Sequence, residues 1–144
     1  MATVTDFPSL ETLKPVAKIT GAYIGVWYGF IILQVLVKKH LLKKTKYDPK
    51  VKGFDIKYGH YNDKKLLTVN RALGNAMEQM MPFLGSLWLC AVFGDVDAAI
   101  FGGNIYVLSR AFYPIGFYMG SPYLLFSTGP GYFSIIYMLS KVFM

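Results

Sequence analysis

Long apolar blocks alternate with polar breaks along the chain, and the first break is much the longest. The first block, "VAKITGAYIGVWYGFIILQVLV" (16–37), has about the length a helix needs to cross a bilayer. Gly21, Gly25 and Gly29 recur every four residues within it, which predicts a smooth face for a neighbouring helix to approach. The polar stretch 38–71 follows, broken by Pro49, Gly53 and Gly59. It reads as a loop with a short helix near 62–70. A second apolar block covers 72–93, the turn "GDVD" covers 94–97, and a third block runs from Ala98 to about Tyr118. The fourth is interrupted at Pro122 and at Gly129, Pro130 and Gly131 before "YFSIIYMLSKVF". The expectation is one all-α integral membrane domain over 1–144. It is a four-transmembrane-helix bundle with helices at about 16–37, 72–93, 98–118 and 128–143 and a basic loop at 38–71.

Charge sets an orientation on this pattern. Positions 38–71 hold eleven of the fifteen Lys and Arg residues against Asp48, Asp55 and Asp63, a net of +8 where the whole chain carries +7. By the positive-inside rule the loop faces the cytosol, stroma or matrix, and the acidic "GDVD" turn faces the other side. With four spans both termini lie opposite the loop. The loop also suits anionic membrane lipid, or a ligand or partner surface. Cys90 is the single cysteine, and His40 and His60 are scattered, so neither a disulfide framework nor a metal site is expected. The N-terminal "MATVTDFPSLETLK" contains Asp6 and Glu11 and no apolar core, unlike a secretory signal or an Arg/Ser-rich transit peptide. No nucleic-acid partner is expected.

The informative chemistry is in "RALGNAMEQMMPFLG" (71–85). Positions 71, 75, 78 and 82 fall within about 60° of one another on a helix, so Arg71, Asn75 and Glu78 share one stripe below Pro82. A charge at the centre of a span costs at least about 2.5–3.5 kcal/mol, so Glu78 has to face protein, a cavity or water. Three readings fit: Glu78 pairs with a basic group as structural glue, the second helix starts late and leaves the stripe among the headgroups, or the stripe holds a ligand. The third helix returns Arg110, Tyr113 and Phe117 to the same side on one face, and the first ends there at Lys38, Lys39 and His40. Such a ring suits a small anionic, peptide-like ligand. Arg holds carboxylates bidentately, Asn pairs with amides and Glu holds an ammonium. Taken alone, Arg110 is more simply a snorkelling residue. Polar groups gather at one membrane face only, which argues against a channel or transporter.

The run Arg71-Ala72-x-x-Asn75-x-Met77-Glu78-x-x-x-Pro82-Phe83-Leu84-x-x-Leu87 resembles the signature of the MAPEG family, the membrane-associated proteins of eicosanoid and glutathione metabolism. It is closest to the microsomal glutathione transferase and prostaglandin E synthase branch. "YVLSRAFYPIGFYMGSP" (106–122) and "LQVLVKKH" are similar to the family's third helix and first-helix end. The resemblance covers roughly 16–122. It implies a homotrimer of four-helix subunits with glutathione as cofactor, bound between subunits near the cytosolic face. Arg71, Asn75 and Glu78 would hold its backbone and charged ends, Tyr113 would hydrogen-bond it, and Lys38 or Lys39 would add charge.

Two departures weaken the activating half of that site. Phe117 stands where the family commonly has a second tyrosine, and 120–131 carries no charge where eicosanoid-forming members have an arginine. Arg110 is the remaining candidate for the catalytic cation. The resemblance therefore implies a glutathione transferase or peroxidase acting on lipophilic electrophiles or lipid hydroperoxides. The departures favour a non-catalytic protein of the same fold, an accessory subunit of a larger membrane complex. The sequence leaves open whether the protein is an enzyme. The expected location is the endoplasmic reticulum or an organellar (mitochondrial or plastid) membrane.

Overall fold

The computed structural model describes residues 7–46, 52–58 and 61–144. All regular structure among them is helical: α1 (Leu10–Lys44), α2 (Gly53–Tyr58), α3 (Lys64–Phe93), α4 (Val96–Met119) and α5 (Tyr123–Phe143). Each of three long helices starts at a side-chain cap that occupies an otherwise unbonded N–H. Ser9 accepts from Thr12 N–H at 3.2 Å, Asp63 from Leu66 N–H at 3.0 Å, and Asp95 from Asp97 N–H at 2.9 Å.

The helices differ from expectation in their bounds. The first extends to Lys44 and the second begins at Lys64 rather than near 72, so the suggested helix near 62–70 forms the first turns of α3. Leu41, Ile56, Leu66 and Val69 explain both extensions. They form one buried cluster joining the end of α1, the short α2 and the start of α3. In runs no longer than the leucine pairs Leu41–Leu42 and Leu66–Leu67 in a basic stretch, these residues leave no apolar block to read. An early start to α3 also removes the reading in which the helix begins beyond Arg71; Asn75 and Glu78 lie three and four turns in. Pro49, Gly59 and His60 lie outside the described residues.

The fourth helix is the second correction. It runs without a break from Tyr123 through Gly129, Pro130 and Gly131. Pro130 leaves Phe126 O without its helical donor, and one turn earlier Ser127 and Thr128 fold their hydroxyls back onto Leu124 O, both at 2.9 Å. Ser109 of α4 donates to Ser127 O at 2.6 Å. Contact with α4 thus outweighs the local propensity to break. That contact is close: a Cβ on Gly116 would lie 2.4 Å from Ser127 Oγ.

The long helices pair as antiparallel neighbours. The end of α1 meets the start of α3, Gly94 and Asp95 alone join α3 to α4, and a Cβ on Gly94 would lie 2.6 Å from Lys141 O of α5. The interior is narrow and aromatic. Phe83 stacks on Tyr106 at 3.8 Å with Tyr23 edge-on at 5.0 Å. Pro82 leaves Glu78 O without its helical donor, and hydroxyls brace the carbonyls beside it: Tyr23 donates to Ala76 O at 2.5 Å and Tyr106 to Gln79 O at 3.4 Å. Further along, Trp88 Nε1 donates to Thr20 Oγ1 at 3.2 Å, tying α3 to α1.

Two helices, α1 and α3, are long and apolar enough to cross a membrane. Only 17% and 33% of their most apolar windows are buried, so most of that surface needs a cover from outside the protomer. The shorter α4 and α5 are richer in Gly, Pro, Ser and Tyr, and expose Leu108, Phe112, Ile115, Leu125, Phe126 and Ile136. Gly21, Gly25 and Gly29 also face outward, with nothing within 4 Å of a Cβ built on them. Among the described residues no helix packs on this face. With four spans, a cysteine at Lys57 and one at Met144 should label from opposite sides in sealed vesicles of a Cys90→Ala background. Labelling of both from one side would overturn that topology.

Candidate functional site

Arg110 is the organising residue. It is 1% exposed, the largest fully buried side chain among the described residues. Nη1 donates to Asn75 Oδ1 of α3. Nε and Nη2 find no acceptor among the described residues. Three tyrosines surround the guanidinium: its central carbon lies 4.9 Å from the Tyr106 ring centre, 5.6 Å from Tyr132 and 5.9 Å from Tyr113. Their π faces offset part of the cost of holding the charge. No carboxylate pairs with it. Gly131 makes the enclosure possible, because a Cβ there would sit 2.8 Å from Nη2 and 2.9 Å from Ser109 Oγ. A buried guanidinium with two unused donors is a strong seat for an anion.

The expected residues divide into an inner and an outer set. Asn75, Tyr113 and Arg110 are buried together. Arg71 and Glu78 flank Asn75 by about one turn each and are exposed. Among the described residues neither side chain makes a hydrogen bond or an ion pair; the ion pair there is Lys14–Glu11. No described residue of the chain therefore ties Glu78 down as structural glue. Lys39 is exposed near the end of α1, and no hydrogen bond, ion pair or ring contact joins it to the cluster. Among the described residues no group of three His, Cys, Asp or Glu could hold a metal.

Other participants were not singled out from sequence. Tyr106 precedes Arg110 by four and Tyr113 follows it by three, a spacing that already places both beside it. Tyr132 and Gly131 come from α5 and carry no such signal. Phe117 stacks on Tyr113 at 6.0 Å. Leu124 packs with Phe117 and Trp27 against Phe30, Ala72, Ala76 and Tyr113. The indole N–H of Trp27 is buried there without an acceptor. The uncharged start of α5 thus closes an apolar layer over Tyr113. The Ser127 hydroxyl, committed to Leu124 O, offers no proton to a ligand.

The MAPEG family model matches residues 21–143, nearly the whole chain. The chain belongs to the MAPEG family. The family includes glutathione transferases and related proteins, and its members typically use glutathione. With its two apolar helices, this makes the chain a membrane protein. Comparison with curated proteins returns no match. The MAPEG match takes in all of α3, α4 and α5, and so every residue of the Arg110 cluster and the outer pair Arg71 and Glu78.

Proposed function

We propose that this is a glutathione-binding MAPEG protein of the microsomal glutathione transferase and prostaglandin E synthase branch. It would span an endoplasmic-reticulum or organellar membrane four times and conjugate or reduce lipophilic electrophiles or lipid hydroperoxides. The observation that carries this is the unpaired polar stripe. Arg71 and Glu78 stand exposed on either side of an Asn75–Arg110 pair whose guanidinium keeps two N–H groups free. Glutathione has two carboxylates, one ammonium, two amides and a thiol, which matches that set of donors and acceptors. The outward stripe calls for a wall from another subunit. Arg71, Gly74, Glu78, Met81 and Gly85 form one open row on α3, and α1 supplies its bare glycine face. Both suit close helix contact in a homotrimer. Lys39 of a neighbour could then add charge. Arg110 would stabilise the thiolate.

A specific feature favours a second reading, a non-catalytic subunit of a larger membrane complex. Leu124 and Phe117 make the layer over Tyr113 wholly apolar, so nothing charged on α5 assists Arg110.

The pH–rate profile of glutathione conjugation, with thiolate absorbance of bound glutathione, separates these readings. An unassisted thiol has a pKa of about 8.5, so the wild-type rate should climb steeply above neutrality. Leu124→Arg can extend its guanidinium from the half-buried start of α5. If it brings the thiol to about 7.5, the thiolate fraction at pH 7 rises about five- to tenfold, and the rate with it. A wild-type plateau by pH 6.5 would show that Arg110 already activates the thiol fully. Binding without turnover at any pH would favour the second reading, and no binding would refute the first and leave a MAPEG fold serving as a membrane scaffold.

A further inference from the structure

Three surface grooves join at the basic end of the helices. The largest, about 430 Å³, lies between α4 and α5 and is lined by Leu108, Phe112, Ile115, Met119, Tyr123 and Phe126 among others. A second of about 330 Å³ shares Ile115 and Met119 with it and reaches Tyr118 and Lys65. A third of about 260 Å³ shares Val37 and Lys65 with the second and ends at His40. The three grooves thus adjoin through shared walls and together form a trough with an apolar floor and a cationic head.

The trough has the polarity of an amphiphile and the depth of one leaflet. Ile105 to Met119, both on its wall, span about 21 Å of helix, against about 15 Å for half the hydrocarbon core. Met119 ends α4 beside the start of α3, so the apolar part runs from the basic end toward the membrane centre. Its serine and threonine hydroxyls are already used: Ser109 donates to Ser127 O, Ser127 to Leu124 O and Thr68 to Lys64 O; the phenols of Tyr118 and Tyr123 are exposed at the basic end. Away from that end the floor is aliphatic and aromatic and suits an acyl chain. At the head, Lys65 lines two grooves and Lys64 Nζ stands 4.6 Å over the Tyr118 ring. Neither makes an ion pair among the described residues. The nearest acid in sequence, Asp63, is engaged in capping α3.

We propose that this trough binds one anionic phospholipid of the surrounding bilayer per protomer. One acyl chain lies between α4 and α5, and the phosphate sits at Lys64 and Lys65. This goes beyond the glutathione reading and does not depend on it, since Arg110 and its tyrosines take no part.

Native mass spectrometry of the detergent-purified protein, titrated with dioleoyl phosphatidylglycerol or dioleoyl phosphatidylcholine, is the test. One phosphatidylglycerol per protomer is expected, retained about 30-fold more tightly than phosphatidylcholine, the worth of two lysines beside an anionic headgroup. The double variant Lys64→Gln/Lys65→Gln should bring the two lipids within threefold. Ile115→Trp, at the junction of the first two grooves, should weaken phosphatidylglycerol binding while the protein melts as before. Equal affinity for both lipids in the wild type would overturn the proposal, as would a preference that survives the double variant. Displacement of phosphatidylglycerol by equimolar oleate would assign the trough to a free fatty acid and overturn it as stated.

Discussion

Arg110→Met should lower glutathione-dependent turnover by about 10²- to 10³-fold, the usual cost of removing one preorganised donor from a developing anion. It should change the stability of the folded protein by no more than about 2 kcal/mol. The small second number follows from opposing terms. The variant releases a buried charge whose desolvation costs several kcal/mol. It loses a charge-assisted bond to Asn75, worth about 1.5–3 kcal/mol, and contacts with three tyrosine rings, each about 0.5–2 kcal/mol. Methionine fills most of the vacated volume and adapts to irregular space. Thermal melting and steady-state kinetics on the same preparation read both effects. A loss of 3–5 kcal/mol with the protein no longer assembled would make Arg110 a structural tie. Unchanged turnover would remove it from the site.

Arg71→Ala and Glu78→Gln should each weaken glutathione binding by roughly ten- to over a hundredfold, from the loss of a charge-assisted contact of about 1.5–3 kcal/mol. Both side chains are exposed and unpaired in the protomer, so neither substitution breaks an internal contact. Calorimetry on variants first shown to keep the wild-type oligomeric state makes the comparison. Normal binding by both would refute the functional reading of the stripe. Dissociation of both into monomers would instead make Arg71 and Glu78 an intersubunit tie.

How far these features could be read in advance depended on whether their determinants are local. The stripe on α3 is a matter of 4, 3 and 4 spacing within one helix, and packing divides it: Asn75 turns inward to Arg110 while Arg71 and Glu78 stay exposed. The Asn75–Arg110 bond joins residues 35 apart in sequence, and only packing reveals it. The placement of Arg110 depended on its surroundings as well. At the end of an isolated helix an arginine snorkels, but Gly131 lets α5 close over this one and tyrosines take the place of water. The failure at Gly129–Pro130–Gly131 has the same origin, because interhelical contact overrides breaker residues. Leu41, Ile56 and Leu66 show the converse. Short apolar steps in a basic stretch, one or two residues long, do not read as part of a long span, yet together they bury a cluster and lengthen two helices.

The two tryptophans give the protein a built-in optical readout. Trp27 lies in the apolar layer beside Tyr113, with its indole N–H buried and unbonded. Trp88 sits in the other half of the interior, held by Thr20. Emission from the first reports on polarity at the Arg110 end, and emission from the second reports on the remote core. In a Trp88→Phe background, a spectral change on adding a ligand arises beside the candidate site, with no label attached.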